Sequence, residues 1–135
     1  MSPELLDPDQ FGFEHSQPTK GSDCYALGMV ILEVLTGQPP FPNYKDYVVM
    51  RKVIEGHRPG RPEGTEGVWF TDDLWGMLEL CWEVRLESRP GIESVLECLG
   101  RASWPSPSMD DDLEADTNDE SSSVTSETCV SPRIL

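Results

Sequence analysis

Apolar side chains crowd residues 25–35. Leu27, Met29, Val30, Ile31, Leu32, Val34 and Leu35 wrap most of the way round one helix, and Glu33 is the only charge among them. Ser22 stands where an N-cap hydroxyl would accept a first-turn N–H, and Gly37 followed by Pro39 and Pro40 is a stop signal. The pattern predicts a helix over 22–36, and a helix apolar on nearly every side must be surrounded by protein. A second helix is predicted over 44–55, from Tyr44 to Glu55. Tyr47, Val48, Val53 and Ile54 form its inner face, with Lys45, Asp46, Arg51 and Lys52 outside. Residues 57–62 hold Pro59, Gly60 and Pro62 and cannot continue it. Leu74, Trp75, Leu78, Cys81 and Trp82 recur at three- and four-residue steps and predict a third helix over 71–83. Ile92, Val95, Leu96 and Leu99 predict a fourth over 92–101. No stretch alternates as a strand does. The expected fold is all-α, with four main helices.

Charge divides this picture in two. The 135 residues carry a formal net charge of −15. Residues 1–102 hold 17 acidic and 9 basic side chains, whereas residues 103–135 hold eight acidic side chains and one basic, Arg133. The second segment also has few apolar residues, so it buries too little to offset chain entropy and reads as a disordered acidic tail. The length suits one domain, residues 1–102. So acidic a chain is a poor partner for nucleic acid or for an anionic membrane. The longest apolar run falls well short of the roughly 20 residues that span a bilayer. Cys24, Cys81, Cys98 and Cys129 form no ligand spacing and no disulfide framework, and the first three sit in apolar patterns as buried thiols would. No metal site is expected, and the setting is intracellular, in the cytoplasm.

Four short signatures occur in a fixed order. Ser2-Pro3-Glu4 stands first. Thr19-Lys20-Gly21-Ser22-Asp23-Cys24-Tyr25-Ala26-Leu27-Gly28 follows and runs on to Leu35-Thr36-Gly37-Gln38-Pro39-Pro40-Phe41. Ile54-Glu55-Gly56-His57-Arg58-Pro59 is next, and Cys81-Trp82 with Arg89-Pro90 comes last. In this order they resemble the back half of the helical lobe of a protein kinase, from the Ala-Pro-Glu motif to the last helix, and the tyrosine-kinase-like branch most closely. The resemblance covers residues 1–102. It implies that Glu4 and Arg89 form a buried ion pair and that Asp23, Gly28 and Trp82 are structural anchors. Asp23 also suits the positive end of a helix dipole without any further role. Met1 and Ser2 would shape the site for the substrate residue after the phosphoacceptor. Gly91 departs from the family, which usually has Ser or Thr there.

Phosphoryl transfer needs a phosphate cradle, a lysine, metal-binding acids and a base. These 135 residues contain no glycine-rich loop, no Val-Ala-Ile-Lys strand, no His-Arg-Asp loop and no Asp-Phe-Gly. Neither His15 nor His57 has the neighbours of a catalytic loop. The expectation is a kinase-domain fragment without catalytic residues or cofactor, ATP and Mg belonging to complete family members. Met1 falls where family members often carry a methionine, which reads as a start internal to a longer kinase. The alternative is a non-catalytic, pseudokinase-like module or decoy that binds proteins through the 44–55 helix and the acidic tail. Ser106-Pro107 and Ser131-Pro132 are minimal proline-directed phosphosites and Ser121 to Ser123 lie in acidic surroundings, but such short patterns are common by chance and a solvated spacer is the preferred reading.

Overall fold

The computed structural model describes residues 1–102 and Trp104, which lie within one compact unit, Met1–Pro105. The acidic tail, its serine sites and Cys129 fall outside the described residues. The fold is all-α. Five α-helices follow in order: α1 (Pro3–Leu6), α2 (Lys20–Thr36), α3 (Asp46–Ile54), α4 (Asp72–Cys81) and α5 (Ile92–Arg101). Single 3-10 turns lie at Asp9–Phe11, Glu66–Trp69 and Leu86–Ser88. The four main helices of the sequence pattern are present. The fifth, α1, is one turn around the Ser-Pro-Glu motif, too short for periodicity to reveal; Pro3 opens it, where a missing N–H costs nothing.

α2 begins earlier than its apolar run. Thr19, not Ser22, is the N-cap: its hydroxyl accepts the Ser22 N–H at 3.1 Å, while the Ser22 hydroxyl accepts the Thr19 N–H at 2.8 Å. Two orphan donors of the first turn are thus met reciprocally, with serine in the place usually held by glutamate. Gly37 closes the helix at φ +69°, a left-handed conformation that glycine adopts without strain, and its N–H returns to Glu33 O at 2.8 Å. Thr71 caps α4 through the Leu74 N–H. Gly91 precedes α5 and makes no side-chain cap.

α2 packs on α4, α4 on α5, and α1 on α3. The core draws Cys24, Tyr25, Ile31 and Leu32 from α2 and Leu74, Trp75, Leu78 and Cys81 from α4. Val53, Phe70, Trp82, Val95 and Cys98 complete it. Phe70, Trp75 and Trp82 meet edge to face at 5.8 and 5.6 Å, the arrangement that ring quadrupoles favour.

Three expectations change. α2 is not surrounded: Val30 and Val34 are 53% and 73% exposed, because the described helices cover only one side of it. Tyr47 points outward from α3, while Lys52 is half-buried with its ammonium 4.6 Å from the Tyr44 ring, a cation–π contact that draws the side chain inward. On α5 the inner face is Val95, Cys98 and Leu99, with Ile92 and Leu96 exposed.

Candidate functional site

Two features of the fold bear on function: a buried ionic clamp and an open apolar groove.

The clamp joins residues 85 positions apart. Arg89 Nη1 and Nη2 donate to Glu4 Oε1 and Oε2 at 2.7 and 2.9 Å, a two-pronged fit of guanidinium to carboxylate. Arg89 also donates from Nε to Glu83 O at 2.8 Å and from Nη1 to Gly21 O at 2.9 Å, so it ties α1, the start of α2 and the end of α4 together. The two side chains are 1% and 3% exposed. Burial, the largest single influence, pushes the Glu4 carboxyl up, but its hydrogen bonds, those from Arg89 foremost, and the Arg89 charge together hold the group below its ordinary value.

Tyr25 lies between two cations. The Arg89 and Arg58 guanidinium carbons stand 5.1 and 5.3 Å from its ring centroid. Burial pushes its phenol up to about 12 although both arginines act to lower it. Arg58 is held by backbone oxygens: Nε donates to Trp82 O at 2.6 Å and Nη1 to His57 O at 2.9 Å. Sequence reasoning missed Arg58. It lies in a proline- and glycine-rich loop, and a partner that is a main-chain carbonyl 24 residues away leaves no trace in side-chain patterns. The one available signal was an arginine in a loop bound to pass an aromatic core.

Gly28 faces Trp82. A Cβ there would fall 2.7 Å from Trp82 Nε1 and 3.0 Å from Cys81 Cβ, so the glycine permits the close approach of α2 and α4. Asp23 is exposed, and among the described residues its carboxylate makes no hydrogen bond.

The groove holds about 420 Å³ and runs between α2, the 39–42 loop and α3. Met29 and Val30 form one wall, Phe41 and the flanking prolines the end, and Tyr44, Val49 and Met50 the other wall. Met1 reaches into it, 72% exposed. Ser2 does not line it; that side chain is fully buried, and its hydroxyl lacks a hydrogen-bond partner. Two carboxylates, Glu33 and Asp46, stand in the lining, which contains no lysine, arginine or histidine. Of the nearby cations, Lys52 lies over the ring of the wall residue Tyr44, and Arg51 pairs with Glu55 at 3.4 Å. The groove's walls offer mainly apolar side chains beside those two carboxylates, a surface equipped for binding. Among the described residues no group of three or more His, Cys, Asp or Glu is placed to hold a metal ion, and no helix is long and apolar enough to cross a membrane.

Known proteins share this sequence over most of its length. The chain is 31% identical over 109 residues to the serine/threonine-protein kinase VIK of Arabidopsis thaliana, covering 80% of this chain and 22% of that one. It is 29% identical over 98 residues to the serine/threonine-protein kinase mos of Patiria pectinifera, covering 72% and 27%. It is also 29% identical over 87 residues to the tyrosine-protein kinase receptor torso of Drosophila melanogaster, covering 64% and 9%. The chain thus spans about a quarter or less of the length of these relatives. The profile of the protein tyrosine and serine/threonine kinases matches residues 1–99, and the chain belongs to that family.

Proposed function

We propose that this chain is the substrate-side half of a kinase helical lobe, from the tyrosine-kinase-like branch, and that these 135 residues act as a docking surface without transferring phosphate. The order of the Ser-Pro-Glu, central-helix and Cys-Trp…Arg-Pro signatures supports the placement in the lobe. The groove is the observation that carries the docking role. An apolar trough with two carboxylates and no basic side chain in its lining suits a protein segment in which a bulky apolar side chain lies beside lysine or arginine. α3 forms one side of that surface, so a partner would meet the helix expected from the sequence. Ser2, buried, contributes shape from behind, and Met1 is the one of the pair within reach of a bound peptide. No cofactor is assigned to these residues; ATP and Mg belong to the complete kinase. The setting proposed is the cytoplasm.

Peptide binding tests this. A fluorescent peptide containing Phe-Arg-Arg should bind the full chain, and replacing its Phe by Ser or its arginines by Glu should abolish binding. Val30→Glu and Glu33→Lys change exposed groove residues and should each weaken it about tenfold, the equivalent of about 1.4 kcal/mol. Unchanged affinity in both variants, or phosphate transfer from Mg-ATP by the chain alone, would sink the proposal. The exposed Val30 and Val34 favour a second reading, a remnant whose bare flank drives self-association. Light scattering that finds a monomer, with a cooperative melt, rules that reading out.

A further inference from the structure

Methionine is unevenly distributed over this fold. The chain has five methionines, and three of them, Met1, Met29 and Met50, line the groove. They come from separate segments: Met1 precedes α1, Met29 belongs to α2 and Met50 to α3. Met29 is half-buried against the core, but Met1 and Met50 are 72% and 48% exposed. Met77, on α4, does not line the groove and is half-buried against the core. Flexible thioethers suit a groove that must mould itself to a bulky apolar side chain, and their sulfur is also open to oxidation. We infer that Met1 and Met50 are oxidation sites, and that a peroxide converting them to sulfoxides shuts the groove to apolar ligands. The choice of sulfurs stands on exposure alone; the shutting rests on the docking role proposed for the groove.

The reaction balances. A sulfur lone pair attacks one oxygen of hydrogen peroxide, the O–O bond breaks, and a sulfoxide and one water result. The sulfur gives up two electrons and the peroxide accepts them. No deprotonation is required, so access to the sulfur decides the rate. A cysteine competes only as an accessible thiolate, and Cys24 and Cys81 are fully buried while Cys98 is 7% exposed. Among the described residues, Met1 and Met50 are the sulfur-bearing side chains most open to solvent. Each sulfoxide puts a polar, hydrogen-bonding oxygen into a lining that otherwise offers Val30, Phe41 and Val49. An apolar side chain entering the groove must then strip water from that oxygen and leave it unpaired.

The test treats the full chain with graded hydrogen peroxide, quenches with catalase and reads each methionine by peptide mass spectrometry. Met1 and Met50 should convert at lower peroxide than Met29 and Met77, and unfolding the chain in urea should erase that order. A Phe-Arg-Arg peptide free of methionine and cysteine should bind the oxidised chain about tenfold more weakly than the reduced one, the loss expected when an apolar contact gives way to an unpaired polar one. Methionine sulfoxide reductases, which restore the thioether, should return the affinity. Met50→Leu keeps the apolar bulk without the sulfur, so it should bind like the parent before peroxide and lose less affinity after it. A reduced chain that fails to bind the peptide defeats the docking role, and the shutting of the groove with it. Where the reduced chain binds, the inference alone is overturned if Met1 and Met50 react no faster than Met77, if the oxidised chain binds as tightly, or if the reductases do not reverse the loss.

Discussion

Replacing Arg89 by methionine tests the clamp directly. Methionine keeps much of the arginine stem's volume but removes the charge. The Glu4 carboxylate is then left buried without its fork, and the carbonyls of Glu83 and Gly21 lose their donors. Breaking one side of a buried ion pair costs about 3–5 kcal/mol. A domain of this size has about 5–15 kcal/mol in all. At a urea slope of about 1.5 kcal/mol per molar, the midpoint should fall by about 2–3 M. The Asp72–Arg61 pair is the control: its shortest contact is also 2.7 Å, but it lies in solvent, so Asp72→Asn should leave the midpoint almost unmoved. Acid offers an independent check. The Glu4 carboxyl titrates below its unfolded value, so its contribution is fully present above about pH 4.5 and is lost as pH falls through the lower folded value. In Glu4→Gln that acid-dependent loss should shrink. A midpoint shift in Arg89→Met no larger than in Asp72→Asn would show the clamp to be an ordinary surface pair and refute the argument.

Three further outcomes are expected. Gly28→Ala should destabilise by about 1–3 kcal/mol in urea melts, because its methyl meets Trp82 and Cys81, whereas Gly76→Ala, with open space around it, should be neutral or stabilising. Thr19→Ala removes the reciprocal cap of α2 and should cost about 1 kcal/mol in the same melts. Tyr25 should withhold its phenolate absorbance until about pH 12. Since the folded state resists that ionisation, stability should fall as pH rises from about 10 towards 12, which alkaline unfolding curves would show.

The helices were readable where one residue type decides the matter. The apolar steps from Ile92 to Leu99 placed α5 over its observed span, and Gly37 with two prolines ended α2 correctly. The start of α2 was misjudged because Ser22 is half of a cap whose other half, Thr19, lies outside the apolar run. Periodicity also could not say how many neighbours a helix has. The pattern of α2 asks for cover on all sides, and the described residues leave Val30 and Val34 bare. For the site, motif order anticipated the Glu4–Arg89 contact. Arg58 and the groove stayed hidden: one depends on main-chain acceptors, the other on the space between three segments, and neither is a property of any single stretch of sequence.

The span of the clamp also bears on how the chain folds. α4 and α5 are separated by only ten residues and can pair early, but Glu4 waits until a loop of 85 residues has closed. A contact of such long range is expected to form late, after the transition state. Weakening it should hasten unfolding far more than it slows folding, so the acid–base fork sets chiefly the lifetime of the native state.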